Sequence, residues 1–351
     1  MDFIVADDLS GATEVAGIAW QAGKRVVILT EWPAVMPSDC DVCVIDSDTR
    51  LLPLEIASQR VNSIFSLISE YPGSRVFKKV DSVLRGPVAA EIRAALDGVG
   101  WQKACLVSAN PSKGRTIRNG MYSINGTPLA DTLFGADPTH PALSSEVCEL
   151  VGGKFDWLEI PDQVGSESDI LELAGSLTPE TLAVGGADFF KAWSGYRPQR
   201  AQAGLCPETE LWVCGSQVIR DWRKHSFAER GVTVVESLPE QWPVLAPEAY
   251  ESGGGKLALE LEAGVDVSVD SDAILASIRK AMSDVFSAIR PAAIYTEGGA
   301  TAHELIAALE WRQLSVTASL GEGVVAVSGD TIDENRQLVI KPGSYPWPDE
   351  L

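Results

Sequence analysis

Basic residues are scarce in this sequence. Its 351 residues include 28 lysines and arginines against 49 aspartates and glutamates, which gives a formal net charge of −21. Proteins that bind nucleic acids or anionic membrane surfaces need a basic face that neutralises phosphate groups. The overall charge therefore argues against both kinds of partner.

Long apolar runs and a secretion signal are lacking too. No apolar run reaches the roughly 18 residues that span a bilayer, and the chain enters a predicted strand at Phe3 without a basic segment followed by an apolar one. We therefore expect a cytoplasmic protein. Six cysteines, at positions 40, 43, 105, 148, 206 and 214, fit neither a dense disulfide framework nor a paired zinc pattern, so no metal site is predicted.

The common nucleotide and hydrolase signatures are also missing. The sequence contains neither a Walker A pattern nor a Rossmann G-x-G-x-x-G motif. Among its three histidines, no Ser-His-Asp or Cys-His arrangement stands out. A nicotinamide-dependent dehydrogenase is therefore only a distant alternative.

The amino-terminal stretch combines a strand, an acidic turn and the start of a helix. Residues 3–6 are apolar and uncharged, which predicts a strand buried on both faces. Asp7 and Asp8 follow directly, Ser10 can cap a helix, and Gly23 can end that helix in a left-handed conformation. In open α/β sheets the carboxyl ends of the strands face the ligand crevice, so we expect both aspartates to face a site. The alternative is that one of them only caps the helix.

The rest of the first half alternates strands with helices. Strands are predicted over residues 25–30, 41–45, 75–80 and 104–108, and helices over residues 53–71 and 87–96. This alternation is typical of a parallel sheet with helices on both faces. The Asn125-Gly126 pair predicts a hairpin arm that leaves the main sheet.

Residues 194–210 are polar and rich in turn formers, which predicts a linker between domains 1–195 and 208–351. In the second domain we predict strands over residues 211–214, 292–295 and 338–340. We predict helices that end near Arg230, that span residues 273–289 with Asp270 or Ser271 as the cap, and that span residues 301–309. A loop is predicted over residues 248–256. The predicted fold is α/β, with two α/β domains, mostly parallel sheets and a ligand cleft between them.

Cations are concentrated between residues 75 and 118, where nine basic residues accompany three acidic ones. Such a local excess in an acidic protein predicts a site for a small anion. Strand alternation places Lys79 and Asp81 on one face and Lys78 on the other, and Arg85 can donate a bidentate pair of hydrogen bonds to a carboxylate or phosphate. The alternative is an exposed strand edge with solvated salt bridges.

Small-residue turns recur at predicted strand ends in the second half. They are Gly215-Ser216, Gly298-Gly299 before a helix, and Lys341-Pro342-Gly343-Ser344. Glycines in such turns let backbone N–H groups approach a phosphate. Each turn is a weak signal alone, and their recurrence favours an anionic ligand.

Four spaced motifs resemble, in order, the N-terminal motifs of the four-carbon acid sugar kinases, which are ATP-dependent kinases of threonate, erythronate and oxo-tetronate. They are ADDLSGA at residues 6–12, KKVDSVLRG at residues 78–86, GRT at residues 114–116 with NGTPL at residues 125–129, and DPTHP at residues 137–141. The resemblance covers nearly the whole chain. It implies a sugar-acid substrate-binding domain over residues 1–195 and a nucleotide-binding domain over residues 208–351.

The same resemblance implies the site residues. The substrate site would contain Asp7, Asp8, Lys79, Asp81, Ser82 and Arg85, and the nucleotide site would contain Ser216, Gly298, Gly299, Ala300, Thr301 and Gly343. Arg85 and Lys79 would fix the substrate carboxylate or neutralise transferring charge, and Asp8 or Asp81 would accept the hydroxyl proton. The implied function is phosphorylation of a hydroxyl group of a small, four-carbon sugar acid with ATP and Mg²⁺. The sequence leaves open whether the chain forms a homodimer.

The second domain departs from the family pattern. Glu297 stands where the family usually has threonine, Ala300 replaces an acidic residue, and Pro346 replaces the last glycine of the closing motif. An acidic side chain near the phosphates ordinarily helps to hold Mg²⁺. The alternative function is therefore a non-catalytic sugar-acid-binding protein, derived from this kinase family, with a degenerate nucleotide site.

Overall fold

The structure is a computed structural model that describes residues 1–32, 36–136, 141–202, 204–215, 220–262, 271–330, 336–343 and 347–348. The chain forms two compact units, Met1–Gln199 and Arg200–Leu351. All six cysteines are free thiols. Among the described residues, no helix has the length and apolar character needed to cross a membrane.

The first unit alternates strands and helices. Its strands are β1 (Asp2–Ala6), β2 (Val26–Leu29), β3 (Val42–Asp46), β4 (Arg75–Lys79), β5 (Lys103–Val107), β6 (Arg115–Arg118), β7 (Met121–Ile124), β8 (Thr127–Pro128), β9 (Leu158–Glu159), β10 (Gln163–Val164) and β11 (Thr181–Gly185). Its helices are α1 (Leu9–Gln21), α2 (Leu54–Ser69), α3 (Val88–Val99), α4 (Val147–Val151), α5 (Glu167–Ser176) and α6 (Ala187–Ser194).

The main sheet of this unit has the strand order β2-β3-β1-β4-β11-β5-β9, and every neighbouring pair is parallel. Ala6 at the end of β1 is paired with Asp46 of β3 and with Lys79 of β4. Parallel strands end at a common edge, so the residues that follow these three strands leave the sheet side by side. This register places the acidic turn after β1 between two other polar segments.

A small antiparallel sheet, β10-β6-β7-β8, stands apart from the main sheet. Asn125 and Gly126 join β7 to β8, and both have positive φ angles, of 51° and 83°. Two left-handed residues in a two-residue turn match the right-handed twist of a hairpin. The predicted hairpin arm is confirmed.

The second unit has a mixed sheet. Its strands are β12 (Glu210–Cys214), β13 (Thr233–Ser237), β14 (Lys256–Leu261), β15 (Ala293–Glu297), β16 (Gln313–Gly321), β17 (Val324–Gly329) and β18 (Gln337–Lys341), and its helices are α7 (Arg220–Arg230), α8 (Trp242–Ser252), α9 (Ser271–Ala288) and α10 (Gly299–Ala308). The strand order is β13-β14-β12-β15-β18-β17-β16. The first four neighbouring pairs are parallel, and the last two pairs, β18–β17 and β17–β16, are antiparallel. The prediction of an α/β protein with mostly parallel strands is confirmed.

Two local predictions are wrong. Helix α1 is capped by Asp8, not by Ser10, because the extended backbone of Asp8 lets its carboxylate accept the Gly11 N–H at 2.7 Å. The loop predicted over residues 248–256 is mostly regular structure, since α8 continues to Ser252 and β14 begins at Lys256. Burial of Trp242 and Ala246 on one face of α8 outweighs the loop-like composition of that segment.

Close packing of α2 against α3 depends on Gly98. A Cβ atom at this position would lie 2.7 Å from the Cβ atom of Phe65 and 2.9 Å from the carbonyl oxygen of Asn62, both in α2. Gly175 occupies the same penultimate position in α5, but a Cβ atom there would meet nothing within 4 Å.

We therefore expect the same substitution to have opposite effects at these two sites. Gly98→Ala should lower the free energy of unfolding by about 1–3 kcal/mol because α2 and α3 must move apart. Gly175→Ala should raise it by up to about 1 kcal/mol, because alanine favours the helix and restricts the unfolded chain. Urea unfolding of both variants checks this, and equal stabilisation by both would contradict the packing argument.

Candidate functional site

Arg50 bridges the carboxylates that follow β1. Its Nε and Nη2 atoms donate to Asp7 at 3.0 and 2.9 Å, and its Nη1 and Nη2 atoms donate to Asp8 at 2.6 and 2.7 Å. Nη2 also lies 4.0 Å from Oδ1 of Asp81. One planar guanidinium group thus gathers three carboxylates at the carboxyl ends of β1 and β4.

The backbone fixes this arrangement. The N–H groups of Thr49 and Arg50 donate to the carbonyl oxygen of Asp7 at 2.9 and 3.1 Å, which ties the segment after β3 to the turn after β1. Gly86 passes so close that a Cβ atom there would lie 2.7 Å from the Arg50 carbonyl oxygen, and its φ of +91° also favours glycine. Arg50 is therefore held through its main chain as well as its side chain.

Asp81 connects this cluster to Arg85. Its backbone N–H donates to Oδ2 of Asp7 at 3.1 Å, while its carboxylate accepts from Nε and Nη2 of Arg85 at 2.8 and 3.1 Å. The bidentate geometry predicted for Arg85 is thus used on a carboxylate of the protein itself. The Arg85 side chain remains 31% exposed, whereas the Asp81 side chain is 9% exposed.

The three aspartates differ in acidity. Burial by itself raises the pKa of each carboxyl group. For Asp7 the charges of Arg50, Lys78 and Lys79 and the hydrogen bonds from Arg50 together outweigh burial and hold the pKa below its usual value. For Asp81 the charges of Arg50 and Arg85 and the hydrogen bonds from Arg85 do the same. The pKa of Asp8 is raised, because burial and the neighbouring charge of Asp7 together outweigh Arg50.

The two lysines of β4 point to opposite faces of the sheet, as strand alternation predicts. Nζ of Lys78 lies 2.6 Å from Glu91 in α3, whereas Nζ of Lys79 lies 3.3 Å from Glu14 in α1. Glu14 also accepts from Nζ of Lys113 at 2.6 Å. Lys79 is therefore a buried partner of Glu14 in this structure.

Ser82 meets the small antiparallel sheet. Nη1 of Arg115 in β6 donates a short hydrogen bond to Oγ of Ser82. The guanidinium groups of Arg85 and Arg115 lie 5.9 and 5.7 Å from the centre of the same aromatic ring, that of Phe134. The hairpin arm thus brings a third arginine to the aspartate cluster, besides Arg50 and Arg85.

The structure therefore brings together five of the six substrate residues predicted from the sequence, and Lys79 lies beside them in its own ion pair. Sequence reasoning did not assign Arg50 or Arg115 to the site. A signal existed for both. Arg50 ends a polar segment at the carboxyl end of β3, and Arg115 stands in the Gly-Arg-Thr motif.

A separate cavity of about 510 Å³ lies in the first unit. Its lining includes Ser112, Asp188, Lys191 and the start of α5 around Ser166. None of the six predicted substrate residues lines it. Ser112 donates to Asp188 through both its backbone N–H and its hydroxyl group, at 2.9 and 2.8 Å.

In the second unit, three small-residue turns meet at the carboxyl ends of β12, β15 and β18. A Cβ atom on Gly215 would lie 2.6 Å from Oγ1 of Thr301, and one on Gly343 would lie 3.8 Å from Cα of Gly298. The Gly298 N–H donates to the Lys341 carbonyl oxygen at 2.8 Å. Three predicted nucleotide residues, Gly298, Thr301 and Gly343, thus take part in these contacts directly.

Gly299 and Ala300 form the first turn of α10, which Gly298 precedes with φ +89°. The first N–H groups of a helix have no partner within the helix and face outward. Ser216 and the motif residues 137–140 lie outside the described residues, as does Pro346.

Both carboxylate oxygens of Glu297, the residue directly before Gly298, accept hydrogen bonds within the protein. Its Oε2 atom accepts from Nη1 of Arg223 at 2.6 Å, and its Oε1 atom accepts from the Trp347 indole N–H at 2.6 Å. Nε of Arg223 also donates to Glu260 at 2.7 Å. Within the described part of the chain, no group of three or more His, Cys, Asp or Glu side chains is arranged to hold a metal ion.

Comparison with known proteins concerns mainly the first unit. Residues 3–164 match the family model of a sugar-binding N-terminal domain. The chain is 31% identical over 152 residues to a D-threonate kinase of Salmonella typhimurium, covering 42% of this chain and 35% of that protein. It is 31% identical over 156 residues to a D-erythronate kinase of Heliobacterium modesticaldum, covering 43% and 35%.

A 3-oxo-tetronate kinase of Escherichia coli K12 is 26% identical over 153 residues, covering 42% of this chain and 39% of that protein. The chain thus spans about a third of the length of the curated relatives it matches. These matches confirm the resemblance inferred from the N-terminal motifs.

Solved structures extend the likeness to the whole fold. A Salmonella typhimurium LT2 protein provisionally named a tRNA synthase has a TM-score of 0.82 at 15% identity, covering 98% of this chain and 96% of that one. A Haemophilus influenzae protein from a family of unknown function has a TM-score of 0.76 at 16% identity, covering 98% and 97%. At such identities the likeness concerns the fold alone.

The Arg50 cluster leads to a stability prediction. Arg50→Met should leave Asp7 and Asp8 buried without their counter-ion and lower the free energy of unfolding by about 3–5 kcal/mol at neutral pH. Their pKa values in the folded variant should then lie above those of the unfolded chain. The penalty should therefore shrink as the pH falls through those raised values and the carboxyls become protonated.

Urea unfolding at about pH 7.5 and about pH 5 measures both effects. Arg93→Met is the matched control, because Arg93 pairs with Asp97 on an exposed helix surface and its loss should change stability by no more than about 0.5 kcal/mol. If Arg50→Met were as mild as Arg93→Met, or equally damaging at both pH values, the role of Arg50 as counter-ion would be refuted.

Proposed function

We propose a function for a chain that, over its N-terminal part, is a distant homologue of the four-carbon acid sugar kinases. The protein is an ATP- and Mg²⁺-dependent kinase that phosphorylates a hydroxyl group of a small, four-carbon sugar acid. The observation that carries the proposal is the match of residues 3–164 to a sugar-binding domain and to kinases of threonate, erythronate and oxo-tetronate. Phosphoryl transfer needs mainly positioning and charge neutralisation, which a rigid cluster of charges supplies.

Asp8 is the best candidate for the catalytic base. A base works best when its pKa lies near the operating pH, and the pKa of Asp8 is raised whereas those of Asp7 and Asp81 are lowered. The Asp8 side chain is also 20% exposed, against 3% for Asp7 and 9% for Asp81. In this role Asp8 would accept the proton of the substrate hydroxyl as that oxygen attacks the terminal phosphate.

The other residues would act around that proton transfer. Asp81 orients Arg85, whose partly exposed guanidinium group would neutralise charge on the transferring phosphoryl group. Ser82 would offer its hydroxyl group to the substrate. Lys79 is bound to Glu14 and would contact a substrate carboxylate only by exchanging that partner.

The turns of the second unit fit the phosphates of ATP. Gly298, Gly299 and Gly343 leave the carboxyl ends of β15 and β18 free of side chains, and the N-terminus of α10 presents backbone N–H groups there. Thr301, against Gly215, would add a hydroxyl group. Mg²⁺, when bound, would neutralise charge on the phosphates, and we expect phosphate oxygens and water to hold it because both oxygens of Glu297 are engaged.

Glu297 also favours the second candidate, a non-catalytic sugar-acid-binding protein with a degenerate nucleotide site. Its carboxylate is held by Arg223 and Trp347, and Ala300 offers no acidic side chain at the start of α10. Such a protein would bind the sugar acid in the first unit without turnover. The ligand cleft between the domains and the cytoplasmic location stay predictions from the sequence, and whether the chain forms a homodimer stays open.

Turnover is the direct test of the kinase proposal. The full chain should release ADP from ATP and Mg²⁺ in the presence of threonate, erythronate or oxo-tetronate, and one of these acids should be preferred. Asp8→Asn should reduce kcat by about 100-fold or more through loss of the base, yet remain folded because asparagine also caps helices well. Asp48→Asn is the matched control, since Asp48 is exposed and asparagine tolerates its φ of 45°.

Wild-type activity should fall as the pH drops through the raised pKa of Asp8, because the base must be deprotonated to act. If Asp8→Asn kept the wild-type rate, the assignment of the base would fail. Absence of ADP release with every acid, from folded protein that still binds one of them, would favour the non-catalytic candidate.

Gly298 tests the nucleotide site. Gly298→Ala should weaken ATP binding about tenfold or more, because φ +89° with ψ 143° strains any residue with a Cβ atom and would shift the start of α10. Gly254→Ala is the control at another positive φ, +62°, with nothing within 4 Å of the added atom. Calorimetry with ATP should separate the two variants, and equal ATP affinity in both would remove Gly298 from the site.

A further inference from the structure

The ionic groups of the aspartate cluster nearly all have partners of opposite charge. Arg50 serves Asp7 and Asp8, Arg85 serves Asp81, and Lys79 and Lys113 share Glu14. Among these described groups, four carboxylates accompany four cations. Asp46 is also buried in this region, and burial raises its pKa well above the usual value.

Arg115 is the exception. Within the described residues, its guanidinium group has the Ser82 hydroxyl as hydrogen-bond acceptor and the Phe134 ring as neighbour, and it forms no ion pair with a carboxylate. The residue is only partly exposed. A partly buried guanidinium group without a carboxylate partner among the described residues is suited to bind an anionic ligand.

The fold holds Arg115 in place. Its N–H and C=O groups both pair with Asn110, at 3.1 and 3.0 Å, and Asn110 in turn accepts from the Asp188 N–H at 3.0 Å. Gly114 allows the tight turn between them, with a φ of +67°. The guanidinium group is therefore positioned before any ligand arrives, which reduces the entropy cost of binding.

A second polar group nearby lacks a partner. The Tyr122 hydroxyl is buried and has no hydrogen bond within the described part of the chain. Burial raises the pKa of this phenol, and the nearby Arg115 guanidinium group opposes that shift both as a charge and as a potential hydrogen-bond donor. A ligand near Arg115 would thus find both a guanidinium group without a carboxylate partner and a buried phenol hydroxyl without a hydrogen-bond partner, within the described part of the chain.

We propose that Arg115 binds the carboxylate group of the sugar acid and thereby selects acids over neutral polyols. The inference rests on the proposed function and assigns this residue its share of substrate recognition. A guanidinium group matches a carboxylate with two parallel hydrogen bonds. Arg115 is hydrogen-bonded to Ser82, which directly follows Asp81 in the chain. The substrate carboxylate would therefore be held beside the aspartate cluster, which contains the proposed base Asp8.

The test is equilibrium binding to the full chain, without ATP, by calorimetry. The probes are D-threonate and D-erythronate, each compared with the polyol that lacks the carboxylate, threitol or erythritol. Wild type should bind an acid at least about tenfold more tightly than its polyol, and Arg115→Gln should lose about 10- to 100-fold in acid affinity with little change for the polyol. Arg115→Lys should keep part of the preference, because it keeps the charge but loses the fork.

Arg118→Gln is the matched control, on the same strand but exposed, and should bind like wild type. Equal acid affinity in Arg115→Gln and Arg118→Gln would overturn the proposal, as would a wild type that does not distinguish acids from polyols. Retained acid selectivity without ADP release would refute the kinase function while leaving this inference intact.

Discussion

Burial of acidic side chains at the end of a parallel sheet requires a counter-ion, and Arg50 is that counter-ion in the first unit. It donates four hydrogen bonds to Asp7 and Asp8 and lies within 4.0 Å of Asp81. Without it, two adjacent carboxylates after β1 would repel each other in surroundings that solvate them poorly. The position of Asp81, and through it that of Arg85, depends on this charge because Asp81 is hydrogen-bonded to Asp7.

In the second unit, too, one arginine is the counter-ion of two buried carboxylates, but its role differs. Arg223 lies between Glu260 and Glu297 at the carboxyl ends of β14 and β15, and all three side chains are almost completely buried. In the first unit, by contrast, Asp8 and Arg85 keep part of their surface exposed. We therefore expect the Arg50 cluster to meet a ligand, and the Arg223 cluster to hold the sheet beneath the glycine turns.

Much of this could be predicted from the sequence because it depends on local pattern. Local residue types predict the strand before Asp7, the left-handed conformation of Gly23 and the Asn125-Gly126 turn. The ion pairs could not be predicted, since they depend on which strands are neighbours. Arg50 meets Asp7 across 43 positions only because β3 pairs with β1, and Arg115 meets Ser82 only because the hairpin arm reaches the segment that follows β4. The β16–β17 hairpin was not predicted although a local signal exists, because the two-residue connection Glu322-Gly323 joins its strands and Gly323 has a φ of +71°.

A crystal structure of the protein with a four-carbon sugar acid tests the account most directly. We expect the acid to lie in the first unit, with its carboxylate on Arg115 and a hydroxyl group within hydrogen-bonding distance of Asp8. An acid bound instead in the cavity lined by Ser112, Asp188 and Lys191, with the Arg50 cluster free of ligand, would contradict it.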